Sequence, residues 1–295
     1  MSAEGSAAEI GEFRAGADFD ARGFGDALSS VLKPARLECS PPFLVGWYNR
    51  TREDTAGGLQ PIEAGDSVVA FAIYSVPGYL DTVAEHFFHH APEKDFVDSC
   101  TNEILDVLRN RLHPDMDPLV VNTDAGPPYY HVQTIGAVAG VDQHVEASDL
   151  NGEGDEAWRE ELSDRLEDER DPKMWGTDPV TRRKIFGVNV HPKWGGWYAY
   201  RALLVLRGAT AETLERPIPL DFLPLHDARR ILLEYNLRHD QCEWRDGVEG
   251  HWCPENRYKP DEYLFFMETS PTKRKRYLQI RASQMPARPP KSRLS

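Results

Sequence analysis

Between Gly65 and Pro77 the residues Ser67-Val68-Val69-Ala70-Phe71-Ala72-Ile73-Tyr74 are almost uniformly apolar. A run this short and continuous predicts a central strand covered on both faces. From Glu93 to His113 the period changes, and Phe96, Cys100, Ile104, Leu108 and Leu112 recur at helical spacing with charges between them. That predicts an amphipathic helix with Cys100 on its core stripe rather than a nucleophile. Lys184–Val190 and Trp197–Leu206 are strand-like. The linking His191-Pro192-Lys193-Trp194-Gly195-Gly196 predicts a hairpin or bulged turn in which backbone can approach a ligand closely. Shorter strands are predicted at Phe43–Tyr48 and Leu119–Val121, the latter followed by a Gly126-Pro127-Pro128 turn. Helices are predicted at Tyr79–His90, at Asp227–Leu237 with Asp227 as N-cap, and at Pro260–Met267 and Pro271–Leu278 with proline near each start. Strands and helices interleave irregularly, so the fold class is α+β with a largely antiparallel central sheet.

Charge modifies this picture at the ends. The 295 residues carry a formal net charge of −14, yet Thr272–Ser295 has eight basic residues and no acidic one. A body that acidic repels a phosphate backbone, so nucleic acid is not an expected partner. Residues 1–24 are Gly/Ala/acid-rich and are expected to be a disordered acidic tail; 281–295 are expected to be a basic, Pro-rich tail. Residues 151–173, with ten acids and four bases, are expected to be an acidic insertion: a salt-bridged exposed helix or a flexible segment. No stretch approaches the ~18 apolar residues of a membrane helix, and the first twenty residues lack the pattern of a signal peptide. The four cysteines are too few for a disulfide scaffold, so a cytoplasmic protein with reduced thiols is the expectation.

Familiar catalytic signatures are missing: no G-x-S-x-G, no phosphate-binding loop, no H-E-x-x-H and no G-x-G-x-x-G. His86, His89 and His90 sit at metal-compatible spacing, but a polar helix end with histidines near the C-terminal dipole is the favoured reading. His239-x2-Cys242 with His251-x-Cys253 has the composition of a zinc site, though His-x-Cys is tight for a ligand pair. Arg201 is more informative, because it interrupts an apolar strand (Ala199-Tyr200-Arg201-Ala202-Leu203-Leu204). A guanidinium there must be ion-paired or face a cavity, and the residues alone leave both open. Should Arg201, Arg245 and Arg274 converge, their planar donors suit a ligand bearing two carboxylates.

Taken in order, several segments resemble the cobalamin C family of intracellular cobalamin processing. They are Pro42-Phe43 through Trp47-Tyr48-Asn49, Ala70-Phe71 through Ser75-x-Pro77 with Asp81, and Gln133-Thr134 through Val138-Ala139-Gly140. The most specific is Gly187-Val188-x-x-His191-Pro192-x-x-Gly195-Gly196-Trp197. Arg201, Arg230-Ile231-x-Leu233-Glu234, Trp244-Arg245-Asp246, Arg257-Tyr258 and Pro271-x-x-Arg274 follow. The resemblance covers about residues 27–280 and leaves out both tails and the acidic insertion.

The resemblance implies a flavin-reductase (nitroreductase)-like fold and a 25–280 cobalamin-processing domain. It implies an enzyme, a cyanocobalamin reductase / alkylcobalamin dealkylase, that binds cobalamin base-off and removes its upper axial ligand. Alkyl groups would pass to the glutathione thiolate, and cyanide would leave on reduction with FMN or FAD and NADPH. No protein nucleophile and no protein metal ligand are needed. Arg201, Arg245 and Arg274 match the family's glutathione-binding arginines, the last through a one-residue insertion. Asp124 and Gln133 match positions near the corrin, and His131, His144, Asn189 and Tyr200 fall at further pocket positions. This chain departs from relatives at Ala137, at Asp142-Gln143-His144-Val145 and at Asn189. The implied partners are cobalamin, glutathione and a downstream cobalamin-trafficking protein, with homodimerisation allowed and no membrane. A non-catalytic cobalamin chaperone and a flavin- or thiol-dependent reductase without corrin binding are the rival readings.

Overall fold

A computed structural model describes residues 10–53, 60–90, 95–123, 130–150, 155–169, 183–246 and 256–284. Its elements in chain order begin with α1 (Ala21–Leu32), β1 (Leu37–Cys39), β2 (Phe43–Leu44), α2 (Val45–Glu53), β3 (Val68–Ser75), α3 (Tyr79–His90), α4 (Phe96–Arg111) and β4 (Pro118–Asn122). Next come α5 (Val132–Val138), β5 (Gln143–Val145), α6 (Asp155–Glu169), β6 (Val188–Val190), β7 (Ala199–Thr210), α7 (Leu225–Leu237), α8 (Pro260–Met267) and α9 (Pro271–Ser283). The chain divides into two compact units: 1–140, 198–218 and 258–295 form the first, and 141–197 with 219–257 the second.

The first unit holds a five-stranded antiparallel sheet in the order β1-β3-β7-β4, with β2 also pairing to β3. Every residue of β3 is buried, as its apolar run predicts. The α4 stripe is also as its spacing predicts: Phe96, Cys100, Ile104, Leu108 and Leu112 are all buried. Cys100 is a buried core thiol whose Sγ lies 3.7 Å from the Thr82 carbonyl.

Two expectations for this unit are corrected. Residues 10–24 are not a loose tail. Ile10, Phe19, Ala21 and Phe24 are buried, the Phe13, Phe19 and Phe24 rings pack on one another, and Asp20 caps α1 by accepting from the Gly23 N–H. The aromatic spacing, not the acidic composition, decides this segment. The strand predicted over Phe43–Tyr48 ends at Leu44, and α2 begins at Val45. Long-range contacts override the local β preference there. Asn49 exchanges two hydrogen bonds with the Ile62 backbone, at 3.0 and 3.1 Å, and Tyr48 OH donates to the Gln60 carbonyl.

The second unit is smaller. β5 and β6 pair antiparallel, and Val145, Leu150, Val188, Val190, Ile231, Leu232 and Trp244 share its core. β6 therefore does not form a hairpin with β7, which belongs to the first unit's sheet. α7 starts two residues earlier than predicted. Pro224 is its N-cap, and Asp227 lies buried in the first turn beside Arg230. The acidic segment contains α6, whose Leu162 and Leu166 are buried while Arg165 bridges Glu169 at 2.8 Å. The Gly126 turn, His251 and Cys253 lie outside the described residues.

Candidate functional site

In the first unit the site is built around a defect in strand pairing. Ile73 lies opposite Ala202 but Tyr74 lies opposite Tyr200, so Arg201 is the extra residue of a β-bulge. Bulges re-aim side chains. Here the Arg201 guanidinium, only 8% exposed, donates from Nε to Ser75 Oγ at 2.9 Å. Its Cζ lies 5.5 Å from the Tyr79 ring centroid and 5.6 Å from that of Phe266, within cation–π range. Thr123 N–H donates to the Arg201 carbonyl and fixes the bulge on its β4 side.

Arg274 joins this arginine from α9. Its Cζ is 5.7 Å from the Phe265 ring and its Nη2 donates to the Phe266 carbonyl at 3.2 Å. Its Nε is buried without a partner. Burial, opposed by Glu268 and reinforced by the positive charge of Arg201, holds Arg274 below the usual arginine range. Two like charges in partly desolvated surroundings, with a donor left over, suit an anionic ligand, and the fork geometry favours a carboxylate.

The helical hairpin that delivers Phe266 and Arg274 is fastened to α3 by groups that no sequence pattern singles out. Buried Glu262 accepts from Gly78 N–H through both carboxylate oxygens at 2.9 Å and from Leu80 N–H at 3.1 Å. This places a carboxylate at the positive end of α3, where the helix dipole favours it. Burial nevertheless raises the Glu262 pKa, against the backbone donors of Gly78, Leu80 and Lys259. Gly78 supplies the left-handed backbone, φ +97°, that the turn into α3 requires. Arg281 adds a clamp, reaching Asp81 at 2.6 Å and Asp261 at 2.8 Å.

The other first-unit candidates are occupied differently. His131 is the N-cap of α5: its Nδ1 accepts from Thr134 N–H, and its own N–H donates to Tyr48 OH. Gln133 follows, half-buried, in the first turn of α5. Tyr200 packs edge-on with Tyr74 and Tyr198 on the sheet face opposite Ser75 and Arg201, so it does not join the arginine pair. Asp124 lies outside the described residues.

In the second unit, the Gly187–Trp197 block folds into a closed turn. His191 and Gly195 exchange backbone hydrogen bonds at 2.9 Å, and His191 Nδ1 accepts from Lys193 and Trp194 N–H. Burial and the Lys193 charge push the His191 pKa down to about 3, so it remains a neutral acceptor. Gly195 takes φ +57°, and a Cβ on Gly196 would lie 2.5 Å from the Trp244 ring and 2.9 Å from Arg245 Cα. Arg245 fits against that bare glycine. Its Nη1 donates to the Gly196 carbonyl, its Cζ lies 4.6 Å from the Trp244 centroid, and its Nε is buried without a partner. Asp246 accepts from Trp197 Nε1 and pairs with Arg257, both at 2.8 Å.

His144 and Asn189 are cross-strand neighbours on β5 and β6, and their side chains meet. His144 Nδ1 is 2.5 Å from Asn189 Oδ1 and its Nε2 is 2.7 Å from Glu146, while Asn189 Nδ2 donates to Asp142. Burial opposes a charge on this ring, but the hydrogen bonds to Glu146 and Asn189 outweigh it and raise the His144 pKa. Gly187 makes room for the imidazole, since a Cβ there would stand 2.8 Å from it. Of the zinc-like group, His239 stacks on Trp244 and Cys242 is buried with its Sγ near the His239 carbonyl.

The model of the methylmalonic aciduria and homocystinuria type C family matches residues 36–278. The chain belongs to that family. It is 28% identical over 263 residues to the cyanocobalamin reductase / alkylcobalamin dealkylase of Gallus gallus, covering 86% of this chain and 94% of that protein. Identity to the protein of the same name from Homo sapiens is 27% over 259 residues, covering 84% and 79%. Among solved structures, the B12-trafficking protein CblC of C. elegans superposes with a TM-score of 0.65 at 19% identity, over 88% of this chain and 96% of that one. The likeness to CblC establishes a shared α+β fold. Among the described residues, no helix is long and apolar enough to cross a membrane.

Proposed function

We propose that the family member described here processes cobalamin: it binds the corrin base-off and removes the upper axial ligand. In this reading alkyl groups pass to the glutathione thiolate, and reductive loss of cyanide with FMN or FAD and NADPH is a companion reaction on a fold akin to flavin reductases. The observation that carries the glutathione part is the Arg201–Arg274 pair, one guanidinium aimed by a bulge and the other holding a buried N–H with no partner. The names borne by the curated relatives support the cobalamin part.

The thiolate sulfur attacks the alkyl carbon, the S–C bond forms as the Co–C bond breaks, and the electron pair stays with cobalt. The protein's own residues position rather than react. Arg201 and Arg274 hold a glutathione carboxylate, and Tyr79, Phe265 and Phe266 keep the guanidiniums partly desolvated so that each contact counts for more. Arg245 carries the same carboxylate chemistry in its own unit. On the corrin side we assign Asp124, His131, Gln133 and Tyr200 from the first unit, and His144 with Asn189 from the second.

The test is a visible-absorbance titration of the purified protein with methylcobalamin, followed by glutathione. A shift to the base-off spectrum and glutathione-dependent demethylation are expected, and Arg201→Ala should slow demethylation while leaving the shift intact. A shift without conversion would reduce the protein to a carrier, and no shift would remove cobalamin from the reading.

A further inference from the structure

We propose that His86, His90 and Glu103 form a binding site for a divalent transition-metal ion of the zinc class, separate from the arginine pair and independent of the cobalamin reading. His86 and His90 are one turn apart on α3, so both side chains leave the same face, and their rings stack at 4.7 Å. Glu103 meets them from α4: its Oε2 is 2.7 Å from His86 Nδ1 and 3.2 Å from His90 Nε2. The three potential ligand atoms all lie within 4.8 Å of one another.

Two further observations suit a bound ion. The first is an outer partner. Buried His86 has its other nitrogen, Nε2, 2.9 Å from Ser99 Oγ. With Nε2–H donated to that hydroxyl, Nδ1 turns its lone pair toward Glu103, the arrangement by which a metal-bound histidine is usually oriented. A cation between Nδ1 and the carboxylate completes the contact. The second is the setting. The three side chains line an open groove of ≈ 950 Å³ that Asp95, Asp98 and Asp106 also line, so the groove concentrates cations and leaves room for water ligands.

Two imidazoles and one carboxylate exclude calcium and magnesium, which prefer oxygen, and match a zinc-type ion with one or more solvent positions. Ligands about 2 Å from a tetrahedral ion sit roughly 3.3 Å apart, so the two contacts of Glu103, at 2.7 and 3.2 Å, need to open by only tenths of an ångström. His90 and Glu103 are about half exposed and free to make that adjustment. The bound ion ties the last turn of α3 to α4.

The full-length protein, stripped with a chelator, is titrated with ZnCl2 by calorimetry and with CoCl2 by visible absorbance. One equivalent of Zn2+ is expected to bind in the presence of excess Mg2+ and to raise the thermal midpoint, and Co2+ should show the intense visible bands of a low-coordinate nitrogen–oxygen site. His90→Ala and Glu103→Gln, both at exposed positions that do not threaten folding, should each weaken Zn2+ binding about a hundredfold. His89→Ala, one residue away and outside the cluster, should bind as the unmodified protein does. Absence of stoichiometric binding, or binding that survives His90→Ala and Glu103→Gln alike, overturns the assignment.

Discussion

Arg201 and Arg245 are both arginines set among aromatic rings, and the chain positions them by opposite means. Arg201 depends on distant parts of its unit. A pairing defect between β3 and β7 aims it, and Ser75, Tyr79 and Phe266, which surround it, come from segments up to 191 positions apart. Arg245 rests on a short turn that His191 closes with its own ring nitrogen, and on the missing side chain of Gly196. The first arrangement is vulnerable to loss of packing anywhere around it. The second is vulnerable to single atoms in one loop.

The largest expected effect bears on that loop and is read through pH. Folded His191 binds its proton far less readily than an unfolded histidine, whose pKa is near 6.5, so the unfolded chain carries more protons between those values. Stability should therefore be complete above pH 6.5 and fall as pH drops toward 3, by at most about 4–5 kcal/mol over the whole window. His191→Asn keeps an acceptor for the turn without titrating there, since Asn forms the same local bond. Urea unfolding followed by tryptophan fluorescence should show a shallower acid-side decline in this variant. Equal slopes would mean that another group controls the turn.

Next in size is Arg201→Ala. Removal of one charged partner from a carboxylate costs about 1.5–3 kcal/mol, or roughly ten- to a hundredfold in glutathione-dependent demethylation, with cobalamin affinity unchanged. Parallel loss of both activities would make Arg201 a packing residue. Gly196→Ala should cost about 1–3 kcal/mol in unfolding free energy, because the new methyl overlaps Trp244 and the Arg245 backbone. The smallest effect is expected from Ser75→Ala, which removes the hydrogen bond that Arg201 Nε donates and the longer one, 3.3 Å, that Ser75 donates to the Ala199 carbonyl. About 1 kcal/mol, seen as a fivefold rise in KM for glutathione, should result without a change in fold. An effect as large as that of Arg201→Ala would show that the bulge itself depends on Ser75.

How much of this was legible follows from how local each interaction is. β3 and α4 could be read from their residues, because burial on both faces or on one stripe writes a period into the sequence. The strand over Phe43–Tyr48 could not. Its aromatics favour extended backbone, while the contacts of Asn49 and Tyr48 with residues 60–62 impose a helix. Arg201 stood out as a charge in an apolar strand, but the bulge that aims it depends on the partner strand and leaves no mark in β7 alone. His191 was visible as part of a motif without its role being visible, since turn capping by a ring nitrogen depends on two backbone N–H groups that any residue could supply. Glu262 carries no signal, because an acid in the first turn of a helix is common and only its reach to Gly78 and Leu80 makes it particular.

The scattered make-up of the first unit has a consequence for how the protein is made. That unit draws on 1–140, then 198–218, then 258–295, and its last contribution brings Glu262, Phe266, Arg274 and Arg281 together. A ribosome that has translated only as far as residue 257 still holds a chain whose α3 lacks the Glu262 carboxylate and whose Arg201 lacks the Phe266 ring. Domains built from one continuous stretch can fold as they emerge. This one is completed only when residues 258–284 join it, so a truncation before Glu262 should be about as damaging as one far earlier.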